Sequence, residues 1–344
     1  MMYRTKIIFS FFFIIGTLFF FASSNLYAAT DDDALEFDDY PLEDPLKYPD
    51  WFKRSFLDLR DDLEESIENG KKGIIVYFGQ KRCPYCQKLI NVNFTQPDIE
   101  SYTREHFDLI PIDIWGIEEV TDINGVTMSQ RDYALREKTN FTPSLLFLDH
   151  NGKVVMRLRG YYPPYQFMAA LQYVAEEHYK REKFHVYLSR GEDTLRFEKG
   201  DMADEDFFIP PPFNLNRSIF KGEKPLVVFF EHGNCHACDI LHAQPLKHRA
   251  ISQLFERFDS VQLNMYSDTP VITPTGQRTT ASDWAKEMEI FYAPSMVFFD
   301  EQGKEIIRID SVIRFFRLRN VLNYILSGAY RLQPSFQIWR DQNN

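Results

Sequence analysis

Short apolar runs recur along the chain in two matching sets. Segments 73–78 and 225–230 are rich in β-branched and aromatic residues, and segments 109–114 and 261–266 are also apolar. Runs of this length and composition predict buried strands. Because the two sets lie in the same order and at nearly the same spacing, they indicate an internal repeat.

The remainder of each repeat predicts helices and a hairpin. Asp132 and Asp283 each lie in a helical stretch eleven residues before a proline, Pro143 or Pro294, that precedes another apolar run and a Gly-Lys turn. Apolar residues at helical spacing follow: Phe167, Met168, Leu171 and Val174, then Phe315, Leu318, Val321, Leu322 and Ile325. Each copy therefore predicts an α/β fold with a mixed central β-sheet flanked by helices.

The first 29 residues follow a different pattern. Arg4 and Lys6 precede an apolar run over 7–21, and small residues follow as far as Ala28 and Ala29. This pattern is typical of a secretory signal peptide cleaved after one of these two alanines. An uncleaved membrane anchor is the alternative, although the run is short for a membrane span. We expect an exported, periplasmic protein that is soluble after cleavage and lies in an oxidising environment.

A chain of 344 residues has room for about two domains. We expect a helix over 50–70, ahead of the first strand. The expected boundaries are a signal peptide at 1–29, an acidic leader at 30–49, a first copy at 50–183, a linker at 184–214, a second copy at 215–334 and a tail at 335–344.

The net charge and the absence of several sequence motifs argue against some classes of function. The net charge of −11 disfavours binding to nucleic acid. The sequence contains no P-loop, Gly-x-Ser-x-Gly or His-Glu-x-x-His motif, so it carries none of these nucleotide-binding, hydrolase or metalloprotease signatures. We expect no cofactor.

The four cysteines form two Cys-x-x-Cys pairs, Cys83 with Cys86 and Cys235 with Cys238. Each pair follows a strand and precedes helical sequence, and the N-terminus of a helix favours a thiolate. An exported chain that keeps all of its cysteines in such pairs is expected to use them in redox chemistry. Cys83 and Cys235 are the expected nucleophiles, and Cys86 and Cys238 would resolve the mixed disulfide.

Metal binding is the alternative function. A Cys₄ zinc site is disfavoured because 148 residues separate the pairs and each pair lies in its own copy. The second pair is flanked by four histidines: His232, His236, His242 and His248. Thiolates with imidazoles bind copper or zinc, so a metal chaperone built on the second copy is the alternative.

Both copies resemble the thioredoxin superfamily, in the Cys-x-x-Cys after the first central strand and the later x-Pro before an apolar strand. Additional residues at 115–129 and 267–280 resemble periplasmic thioredoxin-like proteins, including those of sulfur-oxidation operons, and relatives of disulfide isomerases and reductases. The resemblance implies two tandem thioredoxin-like folds that reduce or isomerise protein disulfides. Protein disulfides and dithiols would be the substrates, with a membrane or periplasmic electron donor as partner.

The resemblance also implies the substrate-binding residues. Pro143 and Pro294 should be cis, and Thr142 and Ala293 before them should bind substrate backbone as an added strand. Of the two loops, only that of Thr142 has a hydroxyl able to tune a nearby thiolate.

The spacer residues Tyr85 and His236 complete the expected substrate-binding set. Tyr85 is expected to be exposed between the first pair of cysteines. His236, if protonated, would stabilise the Cys235 thiolate and make the second site more oxidising.

One feature of thioredoxins is missing, the buried acid six residues before the first cysteine. Tyr77 and Phe229 hold those positions, and Glu231, four residues before Cys235, is not an obvious substitute. The copies also differ after their last strand, where the first keeps a glycine, Gly160, and the second has Ser311. For this reason, and because of the Thr142 hydroxyl, the first pair is expected to be the general redox site and the second a specialised one.

Overall fold

A computed structural model describes residues 34–192 and 202–343. The expected signal peptide and its alternative, a membrane anchor, lie outside the described residues. Within those residues no helix is long and apolar enough to cross a membrane.

The first copy contains a four-stranded mixed sheet of order β2-β1-β5-β6, in which β1 and β2 are parallel and the other neighbours are antiparallel. Its elements are α1 (Leu59–Glu68), β1 (Gly73–Gly79), α2 (Pro84–Lys88), a π-helix (Leu89–Asn93), α3 (Pro97–His106), β2 (Phe107–Asp113), β3 (Glu119–Thr121), β4 (Thr127–Ser129), α4 (Gln130–Arg136), β5 (Ser144–Asp149), β6 (Val154–Arg159), α5 (Pro164–Ala175), a 3₁₀-helix (His178–Lys180) and α6 (Phe184–Glu192).

The second copy repeats this arrangement with the sheet order β13-β12-β8-β9. Its elements are β7 (Phe213–Asn214), β8 (Leu226–Glu231), α7 (His236–Leu241), a π-helix (His242–Leu246), α8 (Arg249–Phe255), β9 (Asp259–Asn264), β10 (Pro270–Ile272), β11 (Arg278–Thr280), α9 (Ala281–Glu287), β12 (Ser295–Phe299), β13 (Glu305–Ile309), α10 (Phe315–Leu326), a 3₁₀-helix (Ala329–Arg331) and α11 (Phe336–Asn343).

The repeat predicted from the sequence is confirmed as two α/β units with mixed central sheets. The additional residues of each copy form a small antiparallel hairpin, β3–β4 or β10–β11. Gly152 and Gly303 lie in the predicted turns with φ angles of 73° and 82°. Residues with a side chain rarely adopt this left-handed backbone conformation, which explains why glycine occupies both positions.

Three segments differ from the expectation. The helix expected over 50–70 is limited to α1, because Asp58 caps it by accepting hydrogen bonds from the amides of Arg60 and Asp61. The segment expected to be a linker begins with α6, whose Phe184 and Leu188 are buried in the first core. Most of the expected tail forms the helix α11.

The two copies are in direct contact. The amide of Val312, just after β13, donates a hydrogen bond of 3.1 Å to the carbonyl of Tyr161, just after β6. Val312 belongs to the buried core of the first copy. Gly160, next to Tyr161, donates its amide to the carbonyl of Pro143 in the first copy, and Ala237, between the second pair of cysteines, packs against the first core. Both cysteine pairs therefore lie near the interface between the copies.

Candidate active site

Each cysteine pair lies at the beginning of a helix and forms a disulfide. Cys83 caps α2 and its Sγ accepts the amide of Cys86 at 2.9 Å, while Cys235 caps α7 and accepts the amide of Cys238 at 3.1 Å. A buried apolar strand positions each cysteine at that helix end. The unpaired amides of the first helical turn favour a negative charge on these two sulfurs.

The proline loops have the geometry that the family resemblance implied. The Thr142–Pro143 and Ala293–Pro294 bonds are both cis. The carbonyl oxygen of Thr142 lies 3.6 Å from the Sγ of Cys83, and its hydroxyl oxygen lies 3.4 Å from the same sulfur. This loop therefore faces the first pair directly.

The first site is covered, and the expectation that Tyr85 is exposed is wrong. Tyr85 is 2% exposed, and Cys83 and Cys86 are 1% and 0% exposed. The hydroxyl of Tyr85 donates to the Asp39 carboxylate at 2.8 Å and accepts the amide of Arg314 at 2.9 Å. Burial, followed by the negative charge of Asp39, raises the pKa of Tyr85 well above its ordinary value. A residue of the leader and one of the second copy thus close over the spacer.

The carbonyl of Thr142, which is expected to bind substrate backbone, is already hydrogen-bonded. The carbonyl of Thr142 accepts a hydrogen bond of 2.7 Å from the guanidinium of Arg317, in α10. The same guanidinium stacks on the ring of Tyr85, 3.2 Å from its centroid. Arg317 therefore occupies the proline-loop face of the first site.

The second site keeps an open side. Cys235 is 7% exposed and Cys238 is 4% exposed, and the spacer residue His236 is exposed. Ala237 packs against the core of the first copy. The second pair can thus be approached from the side of His236.

A buried polar cluster lies beside the second pair. His242, on the helix face of Cys238, pairs its Nε2 with Glu231 at 3.0 Å and its Nδ1 with Glu205 at 3.0 Å. Burial alone would lower the pKa of His242, but the two carboxylates outweigh it and raise the pKa above its ordinary value. Gln262 also donates to Glu231 at 2.7 Å.

This cluster engages one of the histidines on which the metal alternative rests. Of the four histidines that flank the second pair, His242 is committed to Glu231 and Glu205. No group of three or more His, Cys, Asp or Glu side chains within 34–192 and 202–343 is arranged to hold a metal ion.

Several residues of the site were not identified from the sequence. Asp39 lies in the leader, Arg314 caps α10 and Arg317 lies in its first turn, and no local pattern links them to Cys83. Glu231 could have been identified from the sequence, because a carboxylate at the end of an otherwise apolar, buried strand is unusual.

Comparison with known proteins agrees with this geometry. A sequence model of the thioredoxin-like domain matches residues 59–175 and again residues 216–326, together more than half of the chain. No curated protein matches the chain in sequence.

Three solved structures similar to part of this chain each cover less than half of it. A thioredoxin-fold protein from Helicobacter pylori is 25% identical with a TM-score of 0.32, covering 36% of this chain and 87% of its own. A disulphide isomerase from Xylella fastidiosa is 14% identical with a TM-score of 0.25, covering 43% of this chain and 97% of its own. The DsbH oxidoreductase is 16% identical with a TM-score of 0.26, covering 38% of this chain and 91% of its own.

Proposed function

Because the chain belongs to the thioredoxin-like family, we propose that it is an exported thiol–disulfide oxidoreductase that reduces or isomerises protein disulfides. One observation carries the proposal. In each copy the first cysteine of the pair caps a helix and accepts the amide of the second cysteine. A sulfur held at this position is stabilised as the thiolate, which is the nucleophile in disulfide exchange.

The reaction follows from the two sulfurs. The Cys235 thiolate attacks one sulfur of a substrate disulfide, forms a mixed disulfide and releases the other substrate sulfur as a thiolate. Cys238, after losing its proton, attacks Cys235 and releases the second substrate sulfur. Two electrons pass to the substrate and the pair becomes a disulfide. A dithiol donor, membrane-bound or periplasmic, restores the reduced pair. In isomerisation a substrate thiol resolves the mixed disulfide instead.

The second pair is the better candidate for the first encounter with a protein substrate. His236 beside it is exposed, whereas Tyr85 and Arg317 cover the first pair. This assignment reverses the ranking expected from the sequence, where the intact Thr142 loop favoured the first pair. The first pair can react with a protein only after the second copy moves away from it.

Trapping of the mixed disulfide tests the proposal. The reduced Cys238→Ser variant lacks the resolving thiol, so a protein substrate with a disulfide should remain bound to Cys235. Mass spectrometry of the adduct identifies the cysteine, and Cys86→Ser is the matched variant for the first pair. If no adduct forms at Cys235 or at Cys83, the chain is not an oxidoreductase of this kind.

Export is part of the proposal and rests on the pattern of residues 1–29. Expression in a bacterial host followed by N-terminal sequencing of the periplasmic fraction tests it. A mature chain that begins at Ala29 or Thr30 supports export with cleavage. A chain that keeps Met1 and stays with the membrane supports the anchor.

A further inference from the structure

The second copy supplies an arginine to the cysteine site of the first. Arg317 is the third residue of α10, and it is 7% exposed. Its guanidinium donates to the carbonyl of Thr142 at 2.7 Å and stacks on the ring of Tyr85. The cation therefore contacts both the proline loop and the spacer of the first site.

The leader holds this arginine in place. The carboxylate of Asp39 accepts the amides of Phe316 and Arg317, each at 2.8 Å, in the first turn of α10. The same carboxylate accepts the hydroxyl of Tyr85 at 2.8 Å. Because three donors converge on one carboxylate at a helix N-terminus, α10 is fixed relative to the spacer of the first site.

One hydrogen-bonded group separates the guanidinium from the reactive sulfur. The carbonyl oxygen that Arg317 contacts lies 3.6 Å from the Sγ of Cys83. The Nη1 atom of Arg317 is buried and has no hydrogen-bond partner among the described residues. A buried cation that is incompletely paired favours a negative charge close to it, because the low local dielectric strengthens their attraction.

A second arginine approaches the same sulfur from α11. Arg340 donates to Gln80 at 2.9 Å, and Gln80 donates to the hydroxyl of Thr142 at 2.7 Å. Burial and then the nearby charge of Arg317 lower the pKa of Arg340 to about 10. Among the described hydrogen bonds around the first site, the charged side chains are thus Arg317, Arg340 and Asp39, two cations and one anion.

We propose that Arg317 is a positioning residue of the first site, which fixes the Thr142 carbonyl and stabilises the Cys83 thiolate, so that packing of the second copy makes the first disulfide easier to reduce. In this reduction two electrons pass from a dithiol reductant to the Cys83–Cys86 bond. The reductant closes its own disulfide, Cys86 keeps a proton, and Cys83 becomes a thiolate as one proton leaves to solvent.

The redox equilibrium of the first pair tests this role. The full chain with Cys235→Ser and Cys238→Ser is equilibrated with mixtures of reduced and oxidised dithiothreitol, and its thiols are then alkylated and counted by mass spectrometry. We expect Arg317→Met to shift the equilibrium constant about tenfold toward the disulfide, a change of about 30 mV. We expect Arg317→Lys, which keeps a charge but lacks the planar fork, to restore part of the shift.

Arg319→Met is the matched control. Arg319 lies on the same helix but stacks on Phe315 and Phe316 instead of the first site. The Arg319→Met substitution therefore removes the same charge without removing a contact to that site. It should leave the equilibrium within about twofold. An unchanged equilibrium in Arg317→Met, or an equal shift in Arg319→Met, overturns the proposal. If Arg317→Met does not fold, Arg317→Lys is compared with Arg319→Lys, and the absence of a difference between these two overturns it.

The inference rests on the proposed function, because it assigns a role within the first redox site. The role of Arg317 and the proposed function can nevertheless be refuted independently of each other. The equilibrium of a disulfide with dithiothreitol can be measured whether or not the chain turns over a protein substrate. A chain that forms no adduct with substrate, yet shows the Arg317 shift, would contradict only the proposed function.

Discussion

Phe141 and Tyr292 hold equivalent positions, each two residues before a cis proline, and each is buried in the core of the other copy. Phe141 packs in the second core, 5.5 Å from the ring of Phe336. Tyr292 packs in the first core, 5.7 Å from the ring of Tyr162. Because these rings extend from the proline loops, the faces that carry the cysteine pairs are also the faces that join the two copies.

This exchange of rings predicts that the interface is a major source of stability. Phe141→Ala leaves a cavity in the second core and should reduce the free energy of unfolding by about 3 kcal/mol or more. Chemical denaturation measures the change. Phe56→Ala is the control, because Phe56 is fully exposed, and it should change stability by less than about 0.5 kcal/mol. Equal effects of the two substitutions would show that the ring of Phe141 does not hold the copies together.

The difference in burial between the two sites predicts a difference in reactivity. After mild reduction, a bulky maleimide should modify Cys235 about ten times faster than Cys83, because Cys83 reacts only when the copies separate. Mass spectrometry of peptides from samples stopped at successive times gives the two rates. In urea the two cysteines should react at similar rates. Equal rates in the folded protein would mean that the cover over Cys83 does not persist in solution.

The hydrogen bonds of the Tyr85 hydroxyl help to hold the second copy and the leader over the first cysteine pair. Tyr85→Phe removes the hydroxyl that bonds Asp39 and the amide of Arg314, and a hydrogen bond to a charged group contributes about 2 kcal/mol. Modification of Cys83 should therefore become about thirtyfold faster. The control is Tyr40→Phe, which removes the hydroxyl of an exposed tyrosine next to Asp39 in the leader and should leave the rate unchanged. An unchanged rate in Tyr85→Phe would exclude this hydroxyl as part of the closure.

The cluster around His242 predicts a dependence of stability on pH. Glu231 and Glu205 raise the folded-state pKa of His242 above its ordinary value of 6.5. The stabilisation is therefore complete below about pH 6.5 and is lost as pH rises through the higher folded-state pKa. Glu231→Gln should lower the pKa of His242 measured by NMR and weaken this dependence. An NMR titration of His242 at or below 6.5 in the unmodified protein would contradict the assignment.

Much of the fold could be predicted because its signals are local. Apolar runs of strand length, the Cys-x-x-Cys pairs and the prolines recur in two copies, and the structure confirms the sheets and the cis bonds at Pro143 and Pro294. The beginning of α1 was misplaced because the cap at Asp58 was not recognised. Here a single side chain decides where the helix begins.

The closure of the first site could not be predicted, because its contacts join distant parts of the chain. The hydroxyl of Tyr85 meets the amide of Arg314, 229 residues further along the chain. Helix α11 carries Arg340 to Gln80 across a separation of 260 residues. Periodicity and motif spacing describe neighbours in sequence, and they hold no information on which surface of a second copy covers a first.

The central claim is that the two helix-capping cysteines perform disulfide exchange and that Cys235 is the one that meets protein substrates. The rate of insulin disulfide reduction, with dithiothreitol as donor, tests it in the Cys83→Ser, Cys235→Ser and doubly substituted chains. We expect Cys83→Ser to keep most of the rate, Cys235→Ser to lose most of it, and the double variant to fall to the rate without protein. A double variant that still accelerates the reaction, or a chain that depends on Cys83 alone, would contradict the account.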